Sequence, residues 1–162
     1  MKTEFQSDLV ALVPRLRRFA FALCGQQDVA DDLVQSACEK ALKSQDKFTP
    51  GTRLDSWMYR IVQNLWFDQT RRNRTQGTKV DPDDIAISDE GVAARRPEAR
   101  DMLDTIRSAI RDLPEDQRVV LALVAIEGRS YKETAESLNV PVGTVMSRLS
   151  RARTKLATYI DG

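Results

Sequence analysis

Apolar residues recur at intervals of three and four along most of the chain, the spacing that lines one face of an α-helix. Leu9, Leu12, Val13, Leu16, Phe19, Ala20 and Leu23 form the first stripe. Pro14 falls inside it, which predicts either a kink in one helix or the opening of a second, and Gly25 is placed to end the element. The second stripe is Ala30, Leu33, Val34, Ala37, Cys38, Ala41 and Leu42, and the opposite face carries Asp28, Asp31, Asp32, Gln35 and Glu39. Asp28 lies near the helix start, where the dipole favours an anion. Pro50-Gly51 predicts a turn. A long helix follows from about residue 54 to 72, with Leu54, Trp57, Met58, Ile61 and Leu65 on its buried side.

The periodicity then stops. Residues 75–96 contain Gln76-Gly77, Asp81-Pro82 and Gly91 and read as a linker between two domains, 1–74 and 97–162. Periodicity resumes in a helix predicted over about 97–112, with Met102, Leu103, Ile106, Ala109 and Ile110 apolar. Leu113-Pro114 breaks it, Pro114 opens the next helix, and that helix packs Val119, Val120, Leu123, Val124 and Ile126 before Gly128 ends it. The fold class is therefore all-α: two small helical domains joined by a flexible acidic linker.

The last 33 residues, Ser130 to Gly162, form a helix-turn-helix. Ser130 and Glu133 stand at capping-box spacing. A short helix closes at Leu138, and Asn139 tolerates the left-handed backbone that a tight turn needs. Val140 can plug the turn, Pro141 opens the second helix, and Ala135 is small enough for close helix packing. Val145, Leu149, Ala152 and Leu156 face inward. Thr144, Ser147, Arg148, Ser150, Arg151, Arg153 and Lys155 remain for the outward face, and residues 137–160 contain no acid to pair with those cations. Hydroxyls near a helix start with arginines beyond them can contact phosphates and base edges in a major groove.

The charge balance changes the picture only when divided. A net charge of +1 conceals +3 over residues 1–74, −4 over 75–104 and +2 over 105–162. Such asymmetry points to segments with different partners. The two cysteines, Cys24 and Cys38, fit no metal spacing, and there is no histidine. This removes Ser-His and Cys-His nucleophiles and most zinc sites, so no catalytic residue, metal or cofactor is expected. No apolar run spans a membrane, and Met1-Lys2-Thr3-Glu4 does not start like a secretory signal, so a cytoplasmic protein is expected.

Three runs carry a family resemblance. They are Asp28-Val29-Ala30-Asp31-Asp32-Leu33-Val34-Gln35, the stretch from Pro50 through Arg53, Trp57 and Arg60 to Asn64, and Leu113 to Arg118 with Pro141 to Arg153. Together they resemble bacterial sigma-70-type initiation factors, and most closely the two-domain extracytoplasmic-function (ECF) group. The resemblance covers about 9–74 and 105–158 and implies a sigma-type, winged-helix-like four-helix second domain. It implies that Asp28, Asp31, Asp32, Leu33 and Gln35 dock on the clamp helices of RNA polymerase, with the flap as a further contact. The turn from Phe48 through Thr52 to Arg53 resembles the loop that captures a flipped base of the minus-ten element. Trp57, Tyr59, Arg60, Asn64, Arg71, Arg72 and Arg74 resemble the part that holds the opened strand.

The second domain would read the minus-thirty-five element. Met146 and Ser150 depart from residues common among relatives, so no sequence preference carries over. An anti-sigma protein is implied as a partner. For the linker, Asp81, Asp83, Asp84, Asp89 and Glu90 suit either nucleic-acid mimicry in the polymerase's RNA exit path or a plain solvated tether.

Elementary chemistry agrees with part of this. Captured bases need pockets or aromatic faces beside cations. Residues 69–80 hold Arg71, Arg72, Arg74 and Lys79 with no acid, which suits a phosphate track. Trp57 fits the buried stripe better than a stacking platform, while Tyr59 and Trp66 suit either role. Two other readings stay open: a sigma-like decoy that binds an anti-sigma protein, and a stand-alone helix-turn-helix regulator. The decoy has no need of Arg148, Arg151 and Arg153, and the regulator leaves residues 1–74 unexplained.

Overall fold

The computed structural model describes residues 2–75, 105 and 108–161, with side chains for 4–72, 105 and 108–159. The 75–96 linker, with its acidic cluster and Lys79, lies outside the described residues apart from Thr75, and so does the side chain of Arg74. Among the described residues every regular element is helical.

Helix α1 spans Lys2–Cys24 as one element with Pro14 inside it. Gly25 follows at φ +76, and its amide donates to the Phe21 carbonyl (2.8 Å), ending the helix in the left-handed region that glycine adopts without strain. Helix α2 spans Gln27–Lys43 with Asp28 in its first turn and Lys40 and Lys43 in its last, charges that complement the dipole at both ends. Its buried stripe is Ala30, Leu33, Val34, Ala37 and Ala41. Cys38 is half-buried, but Leu42, expected in the stripe, is exposed. A short 3-10 turn, Gln45–Lys47, and the 48–53 turn lead into α3, Leu54–Thr75.

Helix α3 buries more than its predicted side. Met58 and Ile61 lie in the core with Leu54, Trp57 and Leu65 packed partly against it, as the stripe required. Tyr59, Val62 and Gln63 are buried as well. The reason is non-local: α1 and α2 pack on one face of α3, and the second half of the chain packs on another.

Of the helix expected over about 97–112, Thr105 and a helical turn at 108–111 are described, and Met102, Leu103 and Ile106 lie outside the described residues. Arg118 holds the corner that follows. Its guanidinium donates to the carbonyls of Ile110 (3.2 Å), Arg111, Leu113 (3.1 Å) and, across in α1, Leu23 (2.7 Å). Terminal carbonyls of two helical segments thus share one cation. Pro114 stands one residue before α4, Glu115–Leu121, which continues as a π-helical turn, Ala122–Ile126. Gly128, at φ +66, ends it. Val119, Ala122 and Leu123 join the core built by α1–α3, while Val120 and Leu121 belong to a second core with Leu113, Ala135, Val145, Leu149 and Ala152. Helix α4 therefore bridges the two cores.

Helix α5 is Tyr131–Leu138 and α6 is Val142–Asp161. The capping box forms: the Glu133 amide donates to Ser130 Oγ (3.0 Å) and the Ser130 amide to Glu133 Oε1 (3.1 Å). Asn139 takes φ 56, ψ 49, and the Val140 amide bonds the Ala135 carbonyl (3.1 Å). The expected inward stripe of α6 is buried at Val145, Leu149 and Ala152, and Leu156 packs against it.

Candidate nucleic-acid and polymerase interfaces

Four places gather the residues singled out from the sequence. The first is the outer face of α2. Asp28, Asp32 and Gln35 are exposed, whereas Leu33 is core. Asp31 is engaged: Arg17 grips both its oxygens (2.9 and 3.4 Å) and Gln27 donates to one (2.9 Å). The Arg17 hydrogen bond is the chief reason its carboxyl sits below the ordinary range. Asp32 instead lines an open cleft of about 270 Å³ between α2 and α3, with Val29, Leu33, Leu65, Asp68 and Arg72. Arg72, expected on the strand-holding surface, thus stands beside this acidic cleft.

The second place is the 48–53 turn. Gly51 adopts φ +88, and Thr52 closes the turn through its amide (3.2 Å) and hydroxyl (2.6 Å), both donated to the Thr49 carbonyl. Phe48, Trp57 and Phe5 form an aromatic triangle with centroids 5.3, 5.8 and 6.1 Å apart. Beside it opens a cavity of about 520 Å³ lined by Phe5, Asp46, Phe48, Pro50, Gly51 and Thr52. Phe5 was not singled out from the sequence. Its signal was the i,i+4 step to Leu9, one turn ahead of the stripe.

The third place is the seam between α3 and α5. Arg129 is 5% exposed and is the centre of it. Its guanidinium bonds Asp55 Oδ2 (2.8 Å) and Ser56 Oγ, approaches Glu133 (3.4 Å), and lies 5.3 Å from the centre of the Tyr59 ring. Arg53 grips Asp55 (2.9 Å) and pairs with Glu133. Arg60 donates to the Glu136 carbonyl (3.4 Å) and Gln63 to the Ser137 carbonyl (3.0 Å). Burial pushes the Asp55 carboxyl up. The Arg53 hydrogen bond, the Arg129 charge and the Ser56 amide outweigh it, leaving Asp55 below the ordinary range.

Tyr59, expected to touch the opened strand, is fully buried here, edge-on to Phe19 at 5.1 Å. It sits where α3 meets both neighbours, and burial raises its hydroxyl pKa. Asn64, Arg71 and Arg72 stay exposed beyond the seam. Arg129, Asp55 and Gln63 were not singled out from the sequence, because their partners lie more than 70 residues away.

The fourth place is α6. Ser147, Ser150, Arg151 and Arg153 are exposed, and Thr144 is half-buried. Arg148 and Lys155 depart from expectation. Arg148 is half-buried and pairs with Asp116 of α4 (3.5 Å), so an acid is available from outside the acid-free stretch. Lys155 donates to the Asp112 carbonyl (2.9 Å), and Tyr159 bonds the Asp112 carboxylate. No helix among the described residues is long and apolar enough to cross a membrane.

Comparison with known proteins gives this geometry its family. Residues 103–156 match the sigma-70 region 4 family, and residues 9–63 match the family described as the sigma2 domain of PhyR. The ECF RNA polymerase sigma factor EcfG of Rhodopseudomonas palustris (strain TIE-1) is 38% identical over 98% of this chain and 87% of its own. The sigma factor RpoE of Bartonella quintana, solved with the anti-sigma factor NepR, superposes with a TM-score of 0.76 at 30% identity, over 98% of this chain and 97% of its own. CnrH, solved with the cytosolic domain of CnrY, gives 0.69 at 29% identity, over 96% and 89%.

The fold and the two matched regions define a sigma-70-type protein, which serves RNA polymerase at promoters and is not an enzyme. Within that class the chain belongs to the ECF RNA polymerase sigma factors.

Proposed function

We propose that the chain divides promoter-specific initiation among the four places. The open cleft between α2 and α3, with Asp32 at its rim, receives the polymerase clamp helices. The aromatic-lined cavity beside Phe48, Gly51 and Thr52 takes a flipped base of the minus-ten element. Arg53, Arg60, Asn64 and Arg71 hold the opened strand, and Arg74 extends that track. Helix α6 reads the minus-thirty-five element through Thr144, Ser147, Ser150, Arg151 and Arg153. Domain limits of 1–74 and 97–162, with 75–96 as a tether, go with this reading. The protein works in the cytoplasm under an anti-sigma partner, a reading supported by the relative solved in complex with the anti-sigma factor NepR.

One observation carries the proposal. A cleft, an open cavity walled in part by Phe5 and Phe48 with room for a base, and an exposed acid-free face of α6 occur together on one short chain. The seam adds a requirement: Arg53 and Arg60 are held by α5, so the two halves part before the strand is bound.

Run-off transcription with purified core polymerase tests the assignment. Asp31→Arg with Asp32→Arg is expected to abolish promoter-dependent transcript, and Asp32→Arg alone to account for most of the loss, because Asp31 is already neutralised by Arg17. Full transcription from the double variant would refute the docking face. A decoy would yield no transcript from the unaltered chain. A stand-alone regulator would bind promoter duplex tightly without polymerase.

A further inference from the structure

The first two turns of α6 expose two aliphatic side chains on an otherwise small or polar open side. Met146 is 52% exposed and Val142 is 40% exposed. They stand four residues apart and so form one patch on the helix surface. The other open-side neighbours of Met146 one turn away, Gly143 and Ser150, are small, and a Cβ built on Gly143 meets nothing within 4 Å. The thioether therefore projects as a knob above low ground.

We propose that Met146, backed by Val142, reads the 5-methyl group of a thymine in the upstream promoter element. The inference rests on the reading of α6 as the helix that lies in the major groove. Charge selects the occupant: Arg151 and Arg153 are exposed on the same helix, and no acid occurs from residue 137 to 160. Such a surface fits a polyanion and disfavours an acidic protein face. Chemistry then selects the base. A thioether on a flexible stem makes apolar contacts and offers no hydrogen-bond donor. The thymine methyl is the apolar feature of the major-groove edge, where guanine, cytosine and adenine display hydrogen-bonding groups. A basic side chain at this position would instead seek guanine or phosphate, so Met146 shifts the preference of the helix.

Deoxyuridine removes only the methyl and supplies the test. Initiation by core polymerase loaded with the full chain is measured on a promoter selected from a randomised pool, with each upstream thymine replaced singly by deoxyuridine. One replacement is expected to lower initiation about fourfold, the factor for losing one buried methyl-sized group. Met146→Ala, an exposed change to a good helix former, should lose the same factor on the unmodified template and be indifferent to that replacement. An unchanged melting temperature shows that the variant is folded.

The proposal is overturned if no replacement matters, or if Met146→Ala keeps full sensitivity to deoxyuridine. Self-association abolished by Met146→Ala, with no deoxyuridine effect, would assign the patch to a second copy and likewise overturn it. Scrambling the whole upstream element separates the two readings. Indifference of the unaltered chain to scrambling would sink the placement of α6 itself, whereas sensitivity to scrambling without sensitivity to deoxyuridine sinks only the methyl contact.

Discussion

The two surfaces assigned to DNA are built from the same element, an exposed helix with arginines, yet they stand in opposite states. On α6, Ser147, Ser150, Arg151 and Arg153 face solvent while the opposite side is locked in the second core. At the start of α3, Arg53 and Arg60 are exposed yet bonded to α5, and Tyr59 and Gln63 are buried beneath it. The difference teaches where regulation can act. On the proposed assignment the upstream reader is ready as folded, whereas the downstream surface is complete only when the polar seam opens, because Arg53, Arg60 and Tyr59 are engaged there. The cleft at Asp32, proposed for docking, is open in this arrangement, so on that proposal polymerase can meet the closed form.

The largest way to break the comparison is to remove the upstream reader alone. Leu149 is 1% exposed in the second core, and Leu149→Ala should cost about 3 kcal/mol. Calorimetry should show that loss, and duplex binding through the upstream element should fall while α1–α3 stay helical.

A comparable blow from the other side is Arg129→Ala. It strips Asp55 and Glu133 of a buried partner, and breaking such a pair costs about 3 kcal/mol. The closed arrangement should give way, seen as a larger hydrodynamic radius and tighter binding of single-stranded minus-ten oligonucleotide. An unchanged radius would show that the seam does not hold the halves together.

A smaller effect is expected from Arg151→Ala. Affinity for the upstream element should drop by about 1–3 kcal/mol with relaxed specificity if the arginine reads a base. If it contacts phosphate, the loss is uniform across sequences and the salt slope falls by about one. Binding of the downstream strand should not change.

The smallest effect is on pH. The folded Asp55 carboxyl lies below its unfolded value of about 3.9, so its contribution is fully present above that value and is lost as pH falls through the folded one. Thermal stability of the closed form should be flat from pH 7 to about 4 and fall below it. Asp55→Asn should flatten that acid limb.

Much of this architecture is legible in the sequence, and the boundary of legibility is physical. The α2 stripe, the Ser130–Glu133 capping box, the left-handed Asn139 and the inward face of α6 are local, since their partners lie within a turn or two. What escaped is non-local. Helix α3 reads as one-faced, yet Tyr59, Val62 and Gln63 are buried by a second contact with residues more than 50 positions away. Arg148 and Lys155 read as outward cations because the acid-free stretch hides Asp116 and the Asp112 carbonyl, which arrive from the chain before it. Arg129 carries no local signal beside Gly128, and only packing makes it the hub of the seam. Among the candidate sites, the residue types were readable and their availability was not.

Engagement of polymerase is expected to open the downstream reader. Dyes placed at Val10→Cys and Ala157→Cys, both exposed and outside the surfaces assigned to DNA and polymerase, report it by energy transfer in a background with Cys24 and Cys38 replaced by alanine. High transfer is expected in the free protein and low transfer in a transcriptionally active complex with core polymerase. Equal transfer in the two, with the complex active on its promoter, would contradict it.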